Sequence, residues 1–180
     1  ENDTSYRLYT LVSGQTRNGK ITFEQYIQAA GFDSILQAAN RHLIPMSDNQ
    51  FQLYRQTNAV GKQTNTFLDL EVLDISTGKR RPVGNLSGGE SFKASLSLAL
   101  GLSDTIAENR GGIQMDALFV DEGFGTLDSK SLEETKDALL SMSGENKLVG
   151  IISHRDELMD IPQKLRVTKG RGGSRIQMEL

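Results

Sequence analysis

The stretch "NLSGGESFKASLSLALGL", residues 85–102, holds the first residues whose types and spacing suggest chemistry. Ser87 and Glu90 have the S-x-x-E spacing of a capping box, in which each side chain satisfies the other's backbone amide at a helix start. That arrangement leaves Gly88 and Gly89 unexplained, because glycine inside a helix costs roughly 1 kcal/mol against alanine. Bare glycines at a helix N-terminus do let a bulky anion reach free amides, where the helix dipole also favours negative charge. The Ser87 hydroxyl could donate to the same anion. The pair reads either as a plain cap or as a phosphate contact. A second set lies in "DALFVDEGFGTLD", residues 116–128, where an apolar run ends in Asp121 and Glu122. One carboxylate at a strand end can hold Mg²⁺, directly or through water, and the next can orient an attacking water. Alternation along a strand would send the two to different sides. The plain alternative is a solvated strand end, although Gly123, Gly125 and Asp128 build a tight loop that ends in a further carboxylate. The third is "GIISH", where His154 closes another apolar run. It could donate to a phosphate, or simply be exposed.

These residues need elements to hold them. The periodicity predicts a helix over about 90–108, with Phe92, Leu96, Ala99, Leu100, Ser103 and Ile106 near one stripe. "ALFV" and "KLVGIIS" read as strands covered on both faces, with "SKSLEETKDALLSMS" as the helix between them. Strand, helix, strand in this order implies a parallel crossover. Upstream, "TSYRLYTLVS" reads as the end of a helix and "KITFEQYIQAAGF" as a strand running into one. "DSILQAANRHLIPMS" reads as a helix capped by Asp33, with Ile35, Leu36, Ala39 and Leu43 on one face and Pro45 ending it. "FQLYRQT" and "FLDLEVLDIS" alternate as half-buried strands, the second with Leu68, Leu70 and Val72 on one side. "TGKRRP" reads as a turn. The chain ends in a hairpin around Gly170–Gly173. The first half is a helix plus a β-meander, the second a parallel α/β unit.

The 180 residues suffice for a sizeable core, and the balance of 37% hydrophobic and 24% charged residues fits a globular chain. Cysteine is absent, which excludes disulfides and thiolate metal sites in these residues and agrees with a reducing compartment. A net charge of −3 gives no bulk support for nucleic-acid binding, so such a role would need local patches. Two are visible: Lys79, Arg80 and Arg81 in "GKRRP", and Lys169, Arg171 and Arg175 in "KGRGGSR". Charged hairpin tips of this kind are also commonly just solvated. No apolar run approaches the ~18 residues of a membrane-spanning helix, and no secretory signal is visible. The chain opens without an initiator methionine and is read as part of something longer.

"GQTRNGKI", Gly14 to Ile21, nearly matches the phosphate loop G-x-x-x-x-G-K-[ST]. We reject it. Ile21 stands where a hydroxyl must meet Mg²⁺, and no clean apolar strand leads in.

Taken in order, the motifs resemble the C-terminal lobe of an ABC-type ATPase head. "LSGGE" is similar to the signature motif, "ALFVDE" to the Walker B strand, "GTLD" to the D-loop and "ISH" to the switch histidine. Glycine and phenylalanine after Glu122, where transporter ATPases usually carry proline, resemble the SbcC-type exonuclease subunit. "TFEQYI", "FDSILQAANRHL" and "MSDNQFQLYR" share that likeness, which covers most of residues 20–180. The resemblance implies an incomplete P-loop fold: parallel core strands with flanking helices plus a β-meander. Residues 1–20 would end an upstream coiled coil or linker, and 21–180 would form the lobe. It implies ATP and Mg²⁺. Ser87, Gly88, Gly89, Glu90 and Asp128 would meet nucleotide bound by a partner head. Asp121 would serve the Mg²⁺ shell, Glu122 would polarise water, and His154 would hold the γ-phosphate. Implied partners are an N-terminal lobe carrying the Walker A and Q-loop, a second head, an SbcD-like metallophosphoesterase and double-stranded DNA, with Lys79, Arg80 and Arg81 as DNA contacts. The implied setting is cytoplasmic and nucleoid-associated, with no membrane role. The rival readings are an SMC-like chromosome-organising head, a transporter ATPase fragment, and a module that keeps the fold without meeting ATP.

Overall fold

The computed structural model describes residues 4–6, 9, 12–13, 22–56, 68–109, 117–143, 148–170 and 172–179. It divides into two compact units, residues 1–115 and 116–180.

In the first unit, residues 4–6, 9 and 12 are helical. Helix α1 then spans Phe23–Met46. The strand expected around residues 20–26 is not found in the described part of that stretch, and Asp33 does not cap a helix. A capping box starts α1 eleven residues earlier: the Gln25 amide donates to Thr22 Oγ1 at 3.2 Å, and the Thr22 amide to Gln25 Oε1 at 3.0 Å. Reciprocal capping outweighs the strand propensity of the β-branched and aromatic residues beside it. Asp33, inside α1, instead grips Arg55 through two bonds of 2.8 and 2.9 Å, which raises the Arg55 pKa. Pro45 does not end the helix, which reaches Met46. In the last turn its missing N–H costs one bond and little helix follows. Asp48 and Asn49 end it, at positive φ of 52° and 58°, with the Asn49 amide returning to Ile44 O at 2.8 Å.

Strands β1 (Phe51–Arg55), β2 (Leu70–Asp74) and β3 (Lys79–Pro82) form the expected antiparallel meander in the order β1-β2-β3. Leu53 stands opposite Val72, and Val72 opposite Arg81. Leu68 lies outside β2 and is exposed. "TGKRRP" is only partly a turn: the chain reverses over residues 75–78, and Lys79–Pro82 pairs as a strand. Asp74 fastens that reversal by accepting from Ser76 Oγ at 2.6 Å and the Thr77 amide at 3.0 Å, which holds its carboxyl below the usual range. Asn40 on α1 donates to Leu53 O and accepts from Leu53 N, at 2.9 and 2.7 Å, and so occupies the outer edge of β1.

Helix α2 spans Gly88–Asn109 and packs along α1. The two helices approach closely at Gly101, where a Cβ would lie 2.7 Å from Ala39 Cα and 2.8 Å from Ile35 O. Ala99, expected on the buried stripe, is exposed. Leu96, Leu100 and Ser103 of that stripe are buried, and Ala94, Ser97 and Gly101 join them, so the covered face is wider than expected. Leu36, Leu43, Leu53, Val72 and Ala94 form the core between them.

In the second unit, β4 (Ala117–Asp121) and β5 (Leu148–Ile152) pair in parallel through helix α3 (Ser129–Met142), as the strand-helix-strand order required. The expectation that both faces are covered holds for one face only. Ala117, Phe119 and Asp121 share a face with their register partners Leu148, Gly150 and Ile152. On it Phe119, Leu148 and Ile152 are 65%, 60% and 54% exposed, with the Phe119 ring lying on Gly150. The last strands, β6 (Lys164–Gly170) and β7 (Gly173–Glu179), form the expected hairpin.

Candidate functional site

In the first unit the capping box at Ser87 is formed. The Ser87 amide donates to Glu90 Oε2 at 2.7 Å, and the Glu90 amide to Ser87 Oγ at 3.3 Å. The Ser91 amide closes the first helical bond to Ser87 O at 2.8 Å. Gly88 and Gly89 supply the remaining amides of the first turn, which have no acceptor within a helix. Ser87 and Gly88 are exposed and Gly89 is half-buried, so among the described residues nothing covers this end of α2. Because Ser87 Oγ accepts from Glu90, its own hydrogen points elsewhere and can serve an incoming anion. The arrangement can bind a phosphate oxygen with one hydroxyl, two amides and the helix dipole.

Both Glu90 oxygens are engaged, however. Oε1 accepts from Arg81 Nη2 at 3.1 Å, while Arg81 Nη1 donates to Asn85 O at 2.7 Å. Arg81 also lies over the Phe51 ring, 5.5 Å from its centroid. Its neighbour Arg80 sits over the Tyr54 ring at 4.5 Å and 3.8 Å from Glu71. Lys79 and Arg80 are exposed. Sequence reasoning took Arg81 for part of a surface patch. Its link to Glu90, nine residues on, joins β3 to the first turn of α2 and has no local signal.

In the second unit, β4 delivers Asp121 to its C-terminal end, opposite Ile152. Glu122 has left the strand: its φ is 54°, Gly123 follows at 86°, and the Glu122 amide donates to Ile152 O at 3.0 Å. A left-handed turn, not strand alternation, separates the two carboxylates. His154 lies two residues past Ile152 at the same sheet end, and Asp121, Glu122 and His154 are all exposed. Beyond His154, Arg155 clasps Glu157 at 2.7 and 3.1 Å, a bond that holds the Glu157 carboxyl below its usual range. The "GFGTLD" loop is pinned by buried Phe124 and Leu127 and by Thr126 Oγ1 donating to Gly123 O at 3.1 Å. Asp128 then caps α3, accepting the Ser131 amide at 2.7 Å.

The rejected phosphate loop, Gly14–Ile21 with Lys20, lies outside the described residues, as does Arg171. Among the described residues no group of three or more His, Asp or Glu could hold a metal ion. A single strand-end carboxylate such as Asp121 nevertheless suits Mg²⁺, which is commonly held by one or two carboxylates together with substrate phosphates. The exposed amides at Ser87–Gly89 likewise suit a terminal phosphate. The donor set fits both groups.

Comparison with known proteins gives the family. Residues 60–140 match the model described as "SbcC/RAD50-like, Walker B motif". The chain is 42% identical over 163 residues to the SbcC component of the nuclease SbcCD from Staphylococcus aureus (strain JH9), covering 90% of this chain and 16% of that protein. It therefore spans about a sixth of the length of the curated relatives it matches. Among solved structures, one from work on ATP-driven dimerization and DNA-stimulated activation of SMC ATPases matches with a TM-score of 0.67 at 15% identity, covering 87% of this chain and 89% of the other. The SMC head domain from Thermotoga maritima matches with a TM-score of 0.57 at 17% identity, covering 87% and 51%. At these identities the solved structures establish the fold alone, one shared with SMC head domains. Motif order, the family model and the 42% identity agree, and they identify the chain as SbcC/RAD50-like.

Proposed function

We propose that this chain is the C-terminal lobe of the ATPase head of an SbcC-like protein, with residues 1–20 ending an upstream coiled coil or linker and residues 21–180 forming the lobe. The observation that carries the reading is the open start of α2: Ser87 and Gly88 exposed, with first-turn amides at Gly88 and Gly89 that the helix itself does not use. A helix start needing only a cap gains nothing from two glycines. One that must admit a phosphate does.

On this reading an N-terminal lobe of the same protein, carrying the Walker A and Q-loop, holds ATP, and a second head presents Ser87, Gly88 and Gly89 to the γ-phosphate. Glu90 sets the geometry of that turn. Bound Mg²⁺, served by Asp121, would neutralise phosphate charge. Glu122 polarises the attacking water, and His154 donates to the γ-phosphate from the neighbouring strand end. Asp128, at the end of the pinned loop, couples the two sites. Phosphoryl transfer needs mainly positioning and charge stabilisation, which these groups supply. Closure of two heads around nucleotide, and release after hydrolysis, is a population shift driven by γ-phosphate contacts.

The name of the staphylococcal relative, part of the nuclease SbcCD, supports a further step. The head would control an SbcD-like metallophosphoesterase that processes DNA double-strand breaks and hairpins. Lys79 and Arg80, exposed on β3, are the proposed contacts for DNA phosphates, beside Arg81. The setting would be cytoplasmic and nucleoid-associated. An SMC-like chromosome-organising role shares the fold, but 42% identity to an SbcC protein against 15% to the SMC-related structure favours the nuclease-linked reading.

The test is ATP-dependent association of heads in the full-length protein, followed by sedimentation. Ser87→Arg places a bulky side chain on the open amides and should abolish association while leaving nucleotide binding to a single head intact. Wild-type association in that variant would overturn the reading.

A further inference from the structure

A helix that starts on two glycines should fray. Each glycine weakens the turn by roughly 1 kcal/mol, and an anion site built from backbone amides works only if those amides are held in place. The contacts around Arg81 show what holds them. Its guanidinium uses separate nitrogens for separate acceptors: Nη1 for Asn85 O at 2.7 Å, and Nη2 for Glu90 Oε1 at 3.1 Å. Asn85 stands two residues before Ser87, and Glu90 three residues after it. Glu90 completes the ring by taking the Ser87 amide on its other oxygen at 2.7 Å. Between the two ends, Leu86 is half-buried against the core, and its amide bonds to Val83 O at 3.1 Å. One side chain from β3 thus fastens the carbonyl before the turn and the carboxylate inside it.

Charge makes a second contribution. Glu90 sits in the first turn, beside the amides proposed to receive a phosphate. An unpaired carboxylate there would repel an incoming anion. Arg81 lies against it, with side-chain exposures of 32% and 26% for the arginine and the glutamate. Partial burial strengthens the pair relative to a fully solvated one.

We propose that Arg81 is a positioning residue for the Ser87–Gly89 anion site, acting through Glu90: it locks the geometry of the turn and neutralises the negative charge within it. The inference rests on the reading of that site as the trans phosphate contact. Arg81 thereby belongs to the ATP-dependent step and not only to a DNA-binding patch. Lysine cannot substitute fully, because a single ammonium does not span two acceptors with the planar fork of arginine.

The test uses the full-length protein with Arg81→Gln, Glu90→Ala, the double variant and Arg81→Lys. Amide exchange at Ser87, Gly88 and Gly89, measured without nucleotide, should rise about ten-fold in Arg81→Gln and Glu90→Ala, the effect of losing a helix cap. ATP-dependent head association should weaken by a similar factor, with nucleotide affinity of the single head unchanged. The double variant should cost less than the sum of the two single variants, because either one already breaks the Arg81–Glu90 contact, and Arg81→Lys should fall between wild type and Arg81→Gln. Wild-type exchange and association in Arg81→Gln would overturn the proposal. So would fully additive effects in the double variant, which would mean that Arg81 acts without Glu90, through Asn85 O and the Phe51 ring. If Arg81→Gln does not fold, Arg81→Lys and Glu90→Ala carry the same comparison. Failure of the underlying reading looks different: Ser87→Arg would then leave association intact, while the exchange measurements still report whether the brace exists.

Discussion

Glu122 carries a backbone φ of 54°, which L-residues other than asparagine and aspartate seldom adopt, at a cost of roughly 1–2 kcal/mol. The fold holds it there by bonding its amide to Ile152 O and following it with Gly123 at 86°. Strain at a residue proposed to polarise water fits a pattern in which unusual backbone conformations collect at functional sites. It also yields a clean separation of effects. Glu122→Gln keeps the shape, the φ and the amide bond of the residue it replaces, and the position is exposed. The unfolding free energy should stay within about the ±0.5 kcal/mol typical of surface substitutions, with the thermal midpoint hardly moved. In the full-length protein the same change should remove the base that acts on water, so closed heads accumulate in ATP. Sedimentation in ATP, set against a melting curve without it, checks both halves. Normal turnover with no accumulation would assign Glu122 to the turn and not to the chemistry.

At the scale of elements, a tight constraint in the first unit is the close packing of α1 on α2 at Gly101. A methyl group there would meet the Ala39 backbone and Ile35 O below 3 Å, and backbone cannot rotate away as a side chain can. Gly101→Ala should therefore destabilise the unit by about 1–3 kcal/mol despite the better helix propensity of alanine. Chemical denaturation measures it, and a stabilised variant would show that the helices separate at little cost. Gly101 was readable as a mid-helix glycine but not as a contact, because nothing near it in the chain names Ala39 as its partner. The same limit explains most of what the sequence hid. Motif residues such as Ser87, Asp121 and His154 advertise themselves by type and spacing, and apolar runs located β4 and β5 to within a residue or so. The start of α1 was misread because strand-forming residues surround a T-x-x-Q capping box that was itself visible. The Arg81–Glu90 pair had no signal in the sequence, because it joins β3 to the first turn of α2 across nine residues. Local chemistry was legible, whereas pairings made by the fold were not.

For the molecule as a whole, the decisive feature is the apolar surface of the second unit. Parallel strands occur almost only with both faces covered, and a two-stranded sheet is marginal by itself. Here Phe119, Leu148 and Ile152 are exposed on one face of the β4–β5 pair. The β6–β7 hairpin likewise exposes Leu165, Val167, Ile176 and Met178, which share one face by register. Surfaces of this kind favour a partner layer, and the proposed N-terminal lobe is the natural candidate, since it would also bring the Walker A loop to the edge carrying Asp121, Glu122 and His154. The consequence for nucleotide is quantitative. On the proposed reading, Ser87–Gly89 meets only a terminal phosphate and Asp121 only its metal, so neither would grip the base, the ribose or the inner phosphates. Affinity built from so few contacts should lie in the millimolar range or weaker, about 4 kcal/mol of binding free energy at most. Calorimetric titration of the 180-residue chain with ATP and Mg²⁺ should thus give no tight isotherm. Tight binding that disappears in Lys20→Ala would mean that Gly14–Ile21 is a working phosphate loop after all, and the chain would have to be read as carrying its own nucleotide site.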